Sequence, residues 1–292
     1  MLSVVVPIGK LDGNIDKLSN WIEKVDPNLV EIILIHDLQD ETTAPALDTM
    51  RANLPTHNTI MVKGKWGNPG AARNAGLAIA TQEWIAFWDA DDTPDFENAI
   101  NSLKNQDAKT EIVIGQFVVI DMFHGGASSR QSKTACLYDL ILNPGMWRMI
   151  FRREVVSNLR FLPISMAEDQ LFLVSTKLAT RNIVYLPRLF YTYYQGQINQ
   201  LTQDPSKILD LHISLAVLSK FFSSSEGLDL RFARLLYLRQ FSTLLKRSSF
   251  KSLGVMSTKF LKEYLGDFPF KPWLKFLDVF VFMRILLKAR FQ

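Results

Sequence analysis

The chain is poor in the residues that staple or ligate. Cys136 is the single cysteine among 292 residues, so no internal disulfide can form and a reducing compartment is expected. Cys136 also has no evident activating partner in the sequence. Four histidines, His36, His57, His124 and His212, are scattered, and no pair has the spacing of a zinc finger or of one helix face, which excludes such a zinc site. No run of about 18 uncharged apolar residues occurs, so a membrane-spanning helix is not expected. The segment Met1-Leu2-Ser3-Val4-Val5-Val6-Pro7 lacks a basic leader and a cleavage site, and it reads as a first strand. Nucleophile elbow, Walker loop and dinucleotide fingerprint are all missing, as are internal repeats. These absences point to a cytoplasmic globular protein.

What is present is apolar and unevenly charged. Apolar residues make up 48% and charged residues 21%, enough for one large domain or one domain with an appendage. From Pro205 onward there are 15 Lys/Arg against six Asp/Glu, whereas the first 204 residues carry 18 against 23. An acidic body with a basic tail suits contact between the tail and an anionic surface. Periodicity alternates between strands (3–8, 31–36, 59–62, 84–88, 111–120) and helices (14–25, 44–54, 70–80, 95–105). That order predicts an α/β fold, a parallel sheet with helices on both faces. Beyond Ile120 the pattern turns irregular: a polar Gly/Ser-rich loop at 124–133, helical character at 172–179, strands at 183–194 broken by Pro187. From about Ser206 the chain reads as helical.

The densest chemistry lies at Trp84-Ile85-Ala86-Phe87-Trp88-Asp89-Ala90-Asp91-Asp92. A buried apolar strand ends there in three carboxylates, which repel one another unless a cation sits among them. Hard cations, Mg²⁺ or Mn²⁺, prefer oxygen ligands and share them with substrate phosphates, and open α/β sheets place ligands at strand C-termini. The alternative is a solvated turn that starts a helix at Thr93-Pro94-Asp95. Asp37, at the exit of the second strand, either accepts from the imide of a uracil ring or caps a turn. Gly67-Asn68-Pro69-Gly70-Ala71-Ala72-Arg73-Asn74-Ala75-Gly76 runs from a glycine-punctuated loop into a helix. Its first amides and Arg73 suit phosphate or ribose oxygens, and Gly76 alternatively permits close helix–sheet packing. Glu168 and Asp169 open a helix and are either dipole-favoured caps or a general base, Asp169, with Glu168 orienting it or an acceptor. Trp147 is either core or a stacking surface for a sugar. The hydroxyl- and amide-rich segment 191–200 is either a closing lid or an edge strand and turn.

In this order the residues resemble the family 2 glycosyltransferases with the GT-A fold. The matching pieces are Ser3-Val4-Val5-Val6-Pro7, Ile33-Leu34-Ile35-His36-Asp37, Asn68 to Leu77, Phe87-Trp88-Asp89-Ala90-Asp91-Asp92, Trp147 to Arg152 and Glu168-Asp169-Gln170-Leu171-Phe172. The resemblance covers roughly the first 200 residues. It implies a Rossmann-like nucleotide-binding mixed sheet flanked by helices. The catalytic domain would span 1–204, with a nucleotide-sugar half (1–120) and an acceptor half (121–204), followed by a helical basic extension (205–292). Pro7, Ile8, Asp37, Asn68, Arg73, Asp89 and Ala90 would contact the donor. Asp89 and Asp91 would hold Mn²⁺ or Mg²⁺, Asp169 would be the base with Glu168 beside it, and Trp147 would face the acceptor. Inverting transfer, typically from a UDP-sugar, to a glycan or lipid-linked acceptor in surface polysaccharide synthesis would follow. The chain departs from the family at Gly9-Lys10 and at Leu38-Gln39-Asp40, both in the base pocket, and at Gln195 near the lid.

The stretch 268–288 is apolar with regularly placed cations, and Trp273, Phe276, Leu277, Phe280, Met283 and Leu287 share one helical face. It reads as an interfacial helix on an anionic membrane surface or as a helix packed on the body. Aromatic and aliphatic residues dominate it, so nucleic acid is not an expected partner. Two other readings remain. Asp89-Ala90-Asp91-Asp92-Thr93 fits the nucleophile motif of haloacid-dehalogenase-like phosphatases, although several βα units precede it. A degenerate transferase could serve as a glycan-binding scaffold.

Overall fold

The computed structural model describes residues 1–11, 14–39, 41–53, 59–122, 137–197 and 204–247. Its sheet grows from the two most apolar runs. Strands β1 (Leu2–Ile8) and β2 (Val30–Asp37) pair in parallel, with Val4 opposite Ile32 and Pro7 opposite Ile35. Both faces of these strands are covered, which explains why they read as continuous apolar runs rather than alternating ones. Val5, Ile33 and Ile35 enter one core, while Val4, Val6, Ile32 and Leu34 enter the other.

Around them come α1 (Ile15–Ile22), α2 (Ala44–Asn53), β3 (Thr59–Gly64), α3 (Pro69–Ile79), β4 (Trp84–Phe87), the two-residue β5 (Thr93–Pro94), α4 (Phe96–Leu103) and β6 (Ile112–Asp121). The second half adds α5 (Leu137–Leu142), β7 (Met149–Arg152), α6 (Arg153–Val156), α7 (Glu168–Ser175), β8 (Ile183–Gln195), α8 (Ile208–Ser224) and α9 (Gly227–Arg247). The eight strands lie in the order β3-β2-β1-β4-β7-β6-β8-β5.

Sequence periodicity anticipates the first half closely, and the sheet departs from it in two respects. It is mixed rather than parallel. β7 runs antiparallel between β4 and β6, so β6 does not continue the parallel series. β7 is a four-residue strand, three apolar residues and Arg152, too short to show a period. β8 is one strand rather than two, because Pro187 falls where the β6–β8 register jumps from Ile114–Tyr185 to Gln116–Leu189. A proline with no amide to donate is tolerated at such a bulge.

Helices α8 and α9 form the described part of the C-terminal extension, and they share the core of the body. Leu211, Leu215, Leu218, Phe232 and Leu236 cluster with Phe151, Phe172 and Leu173. Among the described residues no helix is long and apolar enough to cross a membrane. The basic stretch 268–288, Cys136, the loop 124–133 and residues 198–200 of the expected lid lie outside the described residues.

Gly76 sets how closely α3 approaches the sheet. A Cβ added there would meet Val5 Cγ1 at 2.4 Å and Ile35 Cγ1 at 3.3 Å. Gly76→Ala is therefore expected to destabilise the fold by about 1–3 kcal/mol through overpacking, measured as a lowered urea midpoint with unchanged m-value.

Candidate active site

β1 and β4 end side by side, and the Trp88 amide still donates to the Val5 carbonyl (3.1 Å). Trp88 is fully buried, edge-on to Phe96 at 4.7 Å. Past this anchor the chain leaves the sheet, and its three carboxylates take different positions: Asp89 and Asp91 are partly exposed and Asp92 is buried. The Asp89 amide donates to the Tyr191 hydroxyl (2.9 Å). Asp92 turns inward, 1% exposed, and accepts from the Tyr194 amide (2.9 Å). Between them, the Asp91 carbonyl accepts from Lys17 Nζ (2.8 Å) and Gln197 Nε2 (3.1 Å), and its Oδ2 accepts from Gln197 as well (3.2 Å). The Lys17 ammonium lies 3.8 Å over the Tyr194 ring.

This crowding is electrostatically costly. Burial, and then the charge of Asp89, push the Asp91 carboxyl up to about 6, against the pull of its own amide and Lys17. Burial, with Asp91 and Asp89, holds Asp92 well above the carboxylate range, against the Tyr194 amide and the Tyr191 hydroxyl. Acids that resist ionisation in this way fit a hard divalent cation. Among the described residues no three His, Cys, Asp or Glu side chains form a complete metal cage. Asp89 and Asp91 would thus hold an ion whose remaining ligands come from substrate or water.

Arg73, in the second turn of α3, joins this acidic turn to the opposite wall. Its Nη2 pairs with Asp89 Oδ1 (2.7 Å) and its Nη1 with Glu168 Oε1 (2.6 Å). Burial works against the guanidinium charge, and Asp89, Glu168 and Asp169 together overcome it and raise its pKa above the ordinary value. Glu168, 6% exposed, is raised chiefly by burial despite Arg73. Asp169, partly exposed beside it, is also raised chiefly by burial, while Arg73 and Arg239 draw it down. Its Oδ1 accepts from the Gln170 amide (2.8 Å). The helix they open starts from Ala167 at φ 67°, a left-handed conformation that is uncommon for alanine.

The remaining expected residues divide. Arg73 was expected to face donor oxygens, and its two terminal nitrogens are instead occupied by carboxylates. Asn68 caps α3, with its Oδ1 accepting from the Ala71 amide (2.8 Å), so its side-chain oxygen serves the helix. Asp37 accepts from the amides of Gln39 (3.1 Å), Trp66 (3.2 Å) and Gly67 (2.6 Å). It fastens the loop before α3 and keeps part of its acceptor capacity. Pro7 is partly exposed at the end of β1, whereas the side chains of Ile8 and Ala90 are buried and leave only main chain to a ligand. Trp147 is partly exposed and stacks on Tyr191 (4.8 Å) and Tyr193 (5.5 Å). Gly145 makes room for it, since a Cβ there would meet the indole at 2.3 Å. Tyr191 to Gln195 belong to β8 and pair with β6 and β5, which settles that part of the segment as strand rather than lid.

Sequence reading missed Lys17, Tyr191 and Gln197 as supports of the acidic turn, and Arg239, whose charge draws the Asp169 pKa down. They lie 74 to 106 residues from Asp89 or Asp91 in the case of the first three, and no local pattern marks them. The density of hydroxyls at 191–194 was the single available hint.

The fold and this acidic cleft define a glycosyltransferase of the GT-A type. The chain matches the family described as Glycosyl transferase family 2 over residues 3–177, and it belongs to that family. Among solved structures, TarS of S. aureus (residues 1–349) is 20% identical with a TM-score of 0.60, covering 98% of this chain and 80% of that one. The same protein in complex with UDP-GlcNAc is 18% identical with a TM-score of 0.62, covering 99% and 80%. The mannosyltransferase PcManGT of Pyrobaculum calidifontis, in complex with GDP-Man and Mn²⁺, is 13% identical with a TM-score of 0.60, covering 99% and 86%. No curated protein matches the chain by sequence.

Arg73 and its partners are at most 29% exposed. Arg73→Met should cost about 3–5 kcal/mol, because it leaves two carboxylates without their counter-charge. Adding Glu168→Gln should recover part of that loss in a double-mutant cycle read by chemical denaturation.

Proposed function

We propose that the protein is an inverting glycosyltransferase that moves a sugar from a nucleotide donor, a UDP-sugar, to a glycan or lipid-linked acceptor of surface polysaccharide synthesis. The observation that carries this reading is the Arg73 bridge, which sets Asp89 and Glu168 on opposite sides of one guanidinium. The acid cluster after β4 and the carboxylate pair that opens α7 therefore face one another across Arg73.

Asp89 and Asp91 would hold a divalent cation, which when bound would offset the charge of the departing diphosphate. Tyr191 and Lys17 fix the main chain of that turn, so the two carboxylates meet the donor already oriented. Asp37 and the end of β1 at Pro7 line the base pocket. Asp169 removes the proton of the attacking acceptor hydroxyl on the face opposite the leaving group. Glu168 is locked to Arg73 and orients this end of α7 rather than exchanging protons with substrate. Trp147, backed by two tyrosines, offers an apolar face to the acceptor sugar. The neighbours' complexes with UDP-GlcNAc and with GDP-Man and Mn²⁺ support a nucleotide-sugar donor and a divalent ion. We retain contact of the basic C-terminal stretch with an anionic membrane surface as part of this proposal.

Calorimetry with UDP-, GDP-, CDP- and dTDP-sugars should give binding of one donor with Mn²⁺ that chelator abolishes, and Asp91→Asn should lose it. A wild-type protein that is folded and binds none of the four would sink the reading. Asp169→Asn should retain UDP binding and lose about 10²–10⁴ in transfer rate. Wild-type transfer in that variant would remove Asp169 as the base. The base acts unprotonated and burial raises its pKa. Transfer should therefore fall with decreasing pH at a point above the ordinary aspartate value of about 4, as read from kcat against pH.

A further inference from the structure

Strand β8 divides its side chains between two neighbours as it passes the acidic turn. β5 and β8 are antiparallel, with Thr93 opposite Thr192 and Pro94 opposite Tyr191. Carried one step further, that ladder sets Asp92 beside Tyr193, and the Tyr194 amide donates to Asp92 Oδ1 (2.9 Å) at the same place. Successive side chains of a strand point to opposite faces. Tyr194 turns toward α1, where Lys17 Nζ lies 3.8 Å over its ring. Tyr191 and Tyr193 share the other face, and their rings run nearly parallel to Trp147, at 19° and 10°.

The two tyrosines differ in what holds their hydroxyls. Tyr191 is fully buried, and its hydroxyl is occupied by the Asp89 amide (2.9 Å). Tyr193 is partly exposed, and among the described residues its hydroxyl makes no hydrogen bond. Its ring is nonetheless fixed, by the stack on Trp147 (5.5 Å) and by the pairing of its backbone with Val119. An aromatic residue held this firmly presents its polar tip in a set direction, and such a tip ordinarily finds a partner. Burial, and then Asp92, Asp89 and Asp91, hold the phenol above its ordinary pKa. It therefore keeps its proton, and it can both donate and accept.

Tyr193 thus stands between two surfaces. On one side its backbone adjoins the turn that would carry the ion and the diphosphate, and on the other its ring lies against Trp147, which would face the acceptor. The group that lies between a diphosphate and an acceptor is the sugar in transit, and a sugar offers hydroxyls that match a phenol in both directions.

We infer that Tyr193 hydrogen-bonds a hydroxyl of the transferred sugar, and so selects the donor by its sugar rather than by its nucleotide. This rests on the proposed roles of Asp89 and Asp91 toward the diphosphate and of Trp147 toward the acceptor.

The test titrates the full chain in saturating Mn²⁺ with UDP and, separately, with UDP-glucose, UDP-galactose and UDP-GlcNAc, read by calorimetry. Wild type should bind UDP and at least one of the three sugar nucleotides. Tyr193→Phe keeps the ring and its stack. It should weaken the best-bound sugar nucleotide about three- to tenfold, the usual loss for one hydrogen bond, and move UDP affinity by less than about twofold. Its thermal melt should match wild type, and Tyr193→Met, which also lacks the hydroxyl, keeps the test valid if the phenylalanine variant melts early. Equal affinity of wild type and Tyr193→Phe for that sugar nucleotide overturns the inference. An equal loss for UDP and for the sugar nucleotide assigns Tyr193 to the diphosphate or to the shape of the turn, and overturns it too. So does a wild type that binds UDP and none of the three sugar nucleotides. A wild type that binds no nucleotide overturns the transferase reading together with this one.

Discussion

The site depends on one guanidinium. Arg73 is 6% exposed and sits between two carboxylates that come from different parts of the chain. An unpaired charge at that depth would be costly, and so would either acid without it. The three groups therefore hold one another in place, and α3, the turn after β4 and the start of α7 are positioned by the same constraint. The neighbouring residue reinforces it. Asn74 accepts from the Phe161 amide (2.7 Å) and donates to the Phe161 carbonyl (2.9 Å). Gly70 lies so close to the Leu162 carbonyl that a Cβ would come within 2.2 Å. One helix thus carries the segment that leads to Asp169 on its outer side.

The two halves of the cleft are built by different means. On one side, consecutive parallel strands end together, and local bonds such as the Asn68 cap shape the loop. On the other side, β7, β8, α7 and α9 meet from distant parts of the sequence. The acidic turn lies across the seam. Its main chain is held by Tyr191 and Gln197 from β8 and its end, and by Lys17 from α1. That arrangement lets three carboxylates crowd without the turn opening, and it leaves Asp89 and Asp91 partly exposed while Asp92 is buried.

This division also governs how much could be read from the sequence. Strands β1 to β4 and the helices between them follow from apolar periodicity, because each is a local pattern repeated over four to eleven residues. Asp89, Asp91 and Asp169 stand out since acids at the end of a buried run, or at a helix start, are chemically conspicuous. The antiparallel insertion of β7 was not legible, as Met149–Arg152 carries no period and its partners are remote. The engagement of Arg73 was hidden for the same reason. A cation in the opening turns of a helix suits a phosphate and a carboxylate equally, and only the approach of α7 decides between them.

The bonds that complete the cleft span 95 residues from Arg73 to Glu168, 102 from Asp89 to Tyr191 and 106 from Asp91 to Gln197. Such contacts form late, after the entropy of closing long loops has been met. As the chain leaves the ribosome, strands β1 to β4 can pair while the acidic turn after β4 still lacks its supports. The acidic turn therefore takes its final shape only once β8 has docked, so a chain cut short before residue 191 would carry Asp89, Asp91 and Asp92 on an unsupported loop.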